Sequence, residues 1–344
     1  MYTHLSTLNP SRSDAEVAFD EAAHRYTVRG STRNYTSVTT MLSRYWQAFD
    51  GPAIVARYGH RWRTNRTHKY YGMTEEEILR EWEHNRVRAS SAGTVMHDLI
   101  ERYYNTHPLI AVQLDVDVAR EAVRVRLTNR DPVREVYAED MRNAASAEMA
   151  QFRRFDAHIK PSVWRTELRV YSAGDERVAG SVDMLARDER GAFSMYDWKR
   201  SHKHLVDCGH RHDGTPRSAR EARTCRVCWG RRCREPLSHL PDTPFVHYAM
   251  QQSVYAHLLR AYHDVDVRRM HLVQLTPERE DYAVIRVPEL RREVAAVLAD
   301  RRQRLARKRR VKGCFASVGR LLVLLRRARS SGDQAAKRRK MTDV

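Results

Sequence analysis

Near residue 163 the sequence changes period, and the order of periods on either side restricts the fold more than any other feature. Upstream, "MTEEEILREWEHNRVRA" opens with a Thr74–Glu77 capping-box pair and predicts a helix. "SSAGTVMHDLIERYYN" predicts another, with Val95, Leu99 and Tyr103 on one stripe. "DPVREVYAEDMRNAASAEMAQFRRF" predicts a long third helix, capped by Asp131 with Pro132 at its first position. "WRTELRVYS" then alternates as a strand. "ERVAGSVDMLARD" and "GAFSMYDWKRS" read as two more strands, joined by the polar turn "DERG". After a polar stretch from 202 to 243, helix returns at "FVHYAMQQSVYAHLLRAYH", and "MHLVQLT" and "DYAVIRV" add two strands. The first segment offers one ambiguous run, "SVTT" at 37–40, a short strand or the start of a helix, and no evident chemistry. These elements predict an α/β fold, a mixed β-sheet flanked by helices.

The third strand ends on Asp197-Trp198-Lys199, charges that need partners at the end of a core strand. Alternation puts Asp197 and Lys199 on one face, about 7 Å apart, and Trp198 on the other, where it can anchor the strand. Asp183 in "GSVDML" lies on the preceding strand, and the hairpin brings the two carboxylates near one edge. Two carboxylates with few other ligands suit Mg²⁺, which keeps several waters and binds phosphate oxygens. Lys199 beside such an ion can hold a water and stabilise phosphate charge. His97 and Glu101, four apart on a helix, share a face and can complete the shell; a local ion pair on a solvated face is the plainer alternative. Gly93 permits close backbone approach. Gln251 and Tyr255 also share a helix face and either brace the site or form a packed Tyr beside a solvated Gln.

Charge points to the partner. Lys and Arg number 62 against 43 Asp and Glu, a formal net charge of +19. Such a chain attracts polyanions, nucleic acid above all. The start, "MYTHLSTLNPSRSDAEVAFDEAAHR", lacks an apolar signal segment, and "LLVLL" at 321–325 is too short to span a bilayer. The expectation is a soluble intracellular protein with no membrane partner. The terminal "KRRK" fits nuclear import.

In their order, "SVTTMLSRY", "SSAGTVMHDLIE", "TELRVYS", "VAGSVDMLA", "YDWKRS" and "QQSVYAHLL" resemble the PD-(D/E)XK nuclease superfamily, specifically its RecB-like exonuclease branch, which includes the mitochondrial genome maintenance exonucleases. The resemblance implies a restriction-endonuclease-like core and hydrolysis of DNA phosphodiesters, single- or double-stranded, with Mg²⁺ or Mn²⁺. It makes His97, Asp183, Asp197 and the Trp198 carbonyl metal ligands and Lys199 the catalytic lysine. It matches Glu101, Glu167, Gln251 and Tyr255 to auxiliary positions that orient ligands or touch DNA. The usual Pro before the first Asp is Val182 here. The implied organisation is an N-terminal segment (1–73), a nuclease core (74–201 and 244–312), a basic Cys/His-rich insertion (202–243) and a basic tail (313–344). An exonuclease leads; a structure- or site-specific endonuclease and an inactive DNA-binding relative are the alternatives.

Within the insertion, Cys225 and Cys228 form a C-x-x-C pair, and Cys208 with His210 offers a second half. This quartet, with His212 and Cys233 as substitutes, suits a structural Zn²⁺; the alternative is a flexible basic loop with reduced thiols. Arg226, Arg231 and Arg232 make the insertion basic and are expected on phosphate near the cleft. "RRQRLARKRRVK", with Arg309 and Arg310, reads as a DNA-backbone contact, an import signal or a solvated helix face.

Overall fold

The computed structural model describes residues 4–20, 23, 25–31, 35–105, 138–201, 205 and 230–309. Three small elements open the chain: α1 (His4–Leu8), α2 (Arg12–Glu16) and the hairpin β1 (Val17–Asp20) and β2 (Arg25–Val28). The ambiguous "SVTT" run resolves as both alternatives. β3 (Thr36–Ser37) leads directly into α3 (Val38–Leu42), and Ser37 caps that helix by accepting from the Thr40 N–H. α4 (Gly51–Thr64) is capped by Asp50, with Pro52 in its first turn.

The two helices expected over 74–105 are one, α5 (Glu75–Asn105), 31 residues long. Its capping box is formed: Thr74 and Glu77 each accept the other's backbone N–H. Nothing between them stops the helix. The interior Gly93 costs only about 1 kcal/mol relative to Ala. α6 (Ala138–Ile159) follows; its expected cap, Asp131-Pro132, lies outside the described residues.

β4 (Val163–Tyr171), β5 (Val178–Arg187) and β6 (Phe193–Arg200) fall where the alternation places them. In the turn, Asp188 accepts from the Arg190 and Ala192 N–H groups, and Gly191 supplies a φ of 80°. α7 (Pro244–Tyr262), β7 (Val267–Leu275) and β8 (Ala283–Val287) complete the pattern, and residues 291–309 form a last helix, α8. β4, β6 and β8 pair antiparallel with β5, β5 and β7, whereas β3 and β7 pair parallel with β5 and β6, so the six-stranded sheet is mixed. Helices cover both faces. Val95, Met96 and Ile100 of α5 and Phe152 and Phe155 of α6 pack on one. On the other lie α3, α7 and the 291–298 stretch of α8. Among the described residues, no helix is long and apolar enough to cross a membrane.

Two irregularities shape the centre of this sheet. β5 lends one edge to β4 along most of its length. Its other edge is divided: Val178 and Ala179 pair with β3, and Met184 to Arg187 pair with β6. Beyond Met184 and Tyr196, β5 and β6 therefore separate. At the same level the pleat reverses. Val182 packs on the α7 side, yet Met184 packs on the α5–α6 side, although two residues apart on a regular strand share a face. Across the ladder, Leu168 packs on the α7 side while Thr166 accepts from Asn105 of α5. The reversal falls at Glu167 and Asp183, and Glu167 carries it with a φ of 45°, a conformation costing a side-chain-bearing residue on the order of 1–3 kcal/mol.

The segment closing the expected insertion is a packed part of the core. Cys233 and Leu237 are buried among α3, α7 and β-sheet residues, and Asp242 and Thr243 are buried with them. The densest basic run is committed in part. Arg301 donates to the Glu176 and Arg177 carbonyls, Arg302 pairs with Glu176, Arg304 with Asp300, and Arg309 with Asp175 at 2.7 Å. The contacts of Arg301, Arg302 and Arg309 tie α8 to the turn before β5, while Arg307 and Lys308 remain on an exposed face.

Gly180 of β5 is required by α7: a Cβ there would lie 2.5 Å from the Tyr255 ring. Gly180→Ala is expected to destabilise the fold by about 1–3 kcal/mol through overpacking, read as a lowered urea midpoint at unchanged m-value. An unaltered midpoint would mean the Tyr255 ring is free to withdraw.

Candidate active site

Where β5 and β6 separate, the backbone of Trp198 loses its strand partner, and two side chains take over. The Trp198 N–H donates to Asp183 Oδ2 (2.9 Å), and the Trp198 carbonyl lies 3.0 Å from His97 Nε2 of α5. The indole itself is buried edge-on against Phe152 and Phe155. The strand end is thus fixed on one side by aromatic packing and on the other by Asp183 and His97.

With its Nε2–H committed to that carbonyl, His97 turns Nδ1 toward two carboxylates, 3.5 Å from Asp183 Oδ2 and 3.9 Å from Glu167 Oε1. One donor atom from each of His97, Glu167 and Asp183 lies within 4.8 Å of the others. Glu167 is oriented by the Ser181 hydroxyl, which donates to Oε2 at 2.7 Å. Three lone-pair donors facing one another need positive charge between them. Burial lowers the His97 pKa, but Asp183 and Glu167 outweigh it and hold the imidazole above its usual value. Burial raises the Asp183 carboxyl, and His97 and Lys199 only partly offset this. A divalent cation meets the same need. One imidazole whose other N–H rests on a carbonyl, together with two carboxylates, is a donor set that fits Mg²⁺ or Mn²⁺.

Asp197 and Lys199 face the α7 side, opposite Trp198, as strand alternation requires. Asp197 is buried, and its Oδ2 lies 2.5 Å from Lys199 Nζ. Nζ also sits 4.8 Å from the centre of the Tyr248 ring. Burial raises the Asp197 carboxyl, and Lys199 pulls it back. For Lys199 the balance runs the other way. Burial disfavours the ammonium, but Asp197 and Asp183 more than compensate and hold its pKa above the usual lysine value. Lys199 is therefore a cation at neutral pH.

These groups open on a cleft of about 870 Å³. His97, Glu167, Lys199, Glu101 and Gln251 line it, and Gly93 faces it with no atom within 4 Å of a would-be Cβ. The structure thus brings His97, Asp183, Asp197, Lys199 and the Trp198 carbonyl to one place. It differs from the expected ligand trio in one respect: Glu167 stands in the cluster with His97 and Asp183, while Asp197 is held by Lys199. Tyr255 lies in the core beneath Gln251, whose Nε2 donates to its hydroxyl at 3.3 Å.

Other expected residues lie elsewhere. Arg231 and Arg232 are exposed away from the cleft, with Arg232 donating to the His239 carbonyl at 2.9 Å. Arg309 is on Asp175. Cys233 is not exposed as a substitute ligand: its thiol is buried, contacts the Pro241 carbonyl, and is pushed up to about 12 by burial. Cys208, His210, His212, Cys225, Cys228, Arg226 and Arg310 lie outside the described residues. The cleft's own basic residues, Arg102, Arg169 and Arg200, were missed, as were Phe19 and Tyr26 of the N-terminal hairpin, a segment read as carrying no chemistry.

A model of the PD-(D/E)XK nuclease superfamily matches residues 61–210, a span holding His97, Glu167, Asp183, Asp197 and Lys199. The mixed sheet flanked by helices is the restriction-endonuclease-like arrangement of that superfamily. No curated protein matches the chain. The crystal structure of SSO0001 is 15% identical over 54% of this chain and 68% of its own, with a TM-score of 0.26, a likeness too slight to bear on function.

Mn²⁺ is expected to raise the melting temperature of the wild type. At a free concentration a hundred times its Kd the gain is about 2.7 kcal/mol. Asp183→Asn, which keeps an oxygen for the Trp198 N–H, and Glu167→Gln should each lose most of that gain. Equal Mn²⁺ stabilisation of all three proteins would remove the cluster as a metal centre.

Proposed function

We propose that this protein is a divalent-cation-dependent nuclease that hydrolyses DNA phosphodiester bonds, acting as an exonuclease. The observation that carries the reading is the cationic Lys199, held on Asp197, beside the His97–Glu167–Asp183 cluster at the floor of one cleft. A cation held by His97, Glu167 and Asp183 would supply Lewis acidity to the scissile phosphate and lower the pKa of a water. The chain's own residues do the rest. Lys199 cannot accept a proton while charged, so its work is electrostatic: it holds a water by donating to it and neutralises charge building on the phosphate oxygens. Asp197 fixes the direction of Nζ. Arg169 at the cleft wall, which donates to the Val17 carbonyl rather than to an acid, supplies positive charge for the flanking phosphates, while Arg102 and Arg200 border the cleft paired with Asp98 and Glu148. The match to a nuclease superfamily and the resemblance of the ordered motifs to RecB-like exonucleases support this assignment.

With Mg²⁺ or Mn²⁺, linear DNA should be degraded to short products while covalently closed circles survive, and EDTA should stop the reaction. Lys199→Ala and Asp197→Ala are expected to lower the rate by at least about 10²–10³-fold with DNA affinity in EDTA largely retained. Cutting of circles would reassign the enzyme as an endonuclease. Metal-dependent degradation of RNA alone would reassign its substrate. DNA binding without cleavage by the wild type would leave a nuclease-fold binding module.

A further inference from the structure

The exposed aromatic side chains Phe49, Tyr58 and Tyr71 all fall within 49–71. Between residues 57 and 69, "RYGHRWRTNRTHK" holds five Lys or Arg and no acid. α4 and the first turns of α5 bring these features together around a small core of Val55, Tyr70 and Ile78. Three rings form a column: Tyr58 stacks on Trp62 at 5.8 Å and 21°, and Trp62 stacks on His68 at 5.6 Å and 0°. Tyr58, 42% exposed, is its outer end. Trp82 of α5 packs edge-on against Trp62, the middle ring, at 6.0 Å and donates to the Tyr70 hydroxyl.

Charge around the column is unbalanced. Arg63 and Lys69 are neutralised by Glu75 and Glu81. Arg57, Arg61 and Arg66 form no ion pair among the described residues, and Arg57 lies over the Tyr58 ring, its Cζ 5.3 Å from the ring centre. Arg57 and Arg61 are four apart on one helix, a like-charge spacing that is mildly destabilising by itself. An exposed ring ending a rigid stack, flanked by uncompensated guanidinium groups, is complementary to a nucleobase with its phosphates. A duplex hides its base faces; a single strand presents them.

We propose that the α4–α5 hairpin is a single-strand nucleic-acid platform, on which a base stacks on Tyr58 and the adjoining phosphates lie on Arg57, Arg61 and Arg66. The proposal rests on the nuclease reading for its purpose and deepens it by naming the strand state. Trp82 and Ile78 precede His97 by 15 and 19 residues on α5, about 22–28 Å along the helix at ~1.5 Å per residue. At ~3.4 Å per stacked nucleotide that is roughly six to eight nucleotides of one strand.

The test is binding of fluorescein-labelled dT20 and of a 20-base-pair blunt duplex in EDTA, by anisotropy, with the full chain. Tyr58→Ala should weaken dT20 binding by about five- to a hundredfold, change duplex binding less than twofold, and leave the melting temperature and Mn²⁺-dependent hydrolysis of bis-p-nitrophenyl phosphate unchanged. Tyr58→Trp should restore dT20 binding. Arg57→Glu with Arg61→Glu should weaken dT20 and flatten its salt dependence. The platform is overturned if wild type does not bind dT20, if Tyr58→Ala binds it normally, or if strand and duplex lose affinity equally. Failure of wild type to cleave any nucleic acid, with Tyr58-dependent dT20 binding intact, would instead reject the nuclease reading and keep the platform.

Discussion

The hydrogen bond from the Trp198 N–H to Asp183 is the contact on which the site depends. A strand that leaves its neighbour exposes backbone donors and acceptors, and a buried orphan costs on the order of 1–3 kcal/mol. Here the orphans are met by two members of the His97–Glu167–Asp183 cluster: Asp183 takes the N–H, and His97 takes the carbonyl. The separation of β5 from β6 and the placement of the cluster are therefore one structural event.

The electrostatics follow from that separation. Asp197 and Asp183 are both removed from water, and burial disfavours ionisation of each. Lys199 is the only ammonium among them, and its attraction to both outweighs its own desolvation. The pair Asp197–Lys199 is self-compensating, but His97, Glu167 and Asp183 are not. Two carboxylates and one imidazole leave a deficit of positive charge that a proton on His97 meets only in part. Behind the strand a second buried pair steadies β6: Arg200 Nε lies 2.6 Å from Glu148 of α6, whose side chain is fully buried. Breaking such a pair from one side leaves an uncompensated charge and costs several kcal/mol. Lys199 is consequently held between two anchors, Trp198 and Arg200, whose side chains project from the opposite face of β6.

How much of this was legible in the sequence depends on whether period carried it. The β4–β8 strands, the faces of Asp197 and Lys199, and the anchoring of Trp198 follow from alternation, and the structure agrees. The place of Glu167 does not follow, because it arises from a one-residue reversal of the pleat with a positive φ that leaves no trace in hydrophobic pattern. The same reversal explains why Asp183, between Val182 and Met184, has neighbours in two different cores. Charge density says less about placement. In the run at 301–309, Arg301, Arg302 and Arg309 meet backbone carbonyls and acids of the 175–177 turn, partners more than 120 residues away that no local pattern discloses, while Arg307 and Lys308 stay exposed. The quieter arginines, 102, 169 and 200, reach the cleft.

The uninterrupted α5 has a consequence that two separate helices would not. Its C-terminal half packs Val95, Met96, Leu99 and Ile100 under the sheet, and its N-terminal half packs Ile78 and Leu79 against α4. An uninterrupted helix of 31 residues, about 46 Å long, sets the distance between those two cores. A hinge near Ser90-Ser91 would let the α4 hairpin swing relative to His97; continuous i to i−4 bonding forbids it. Gly93 then leaves the helix backbone bare just where it borders the cleft. The helix thereby acts both as the support of a cluster ligand and as the ruler that sets how far from it the aromatic column stands.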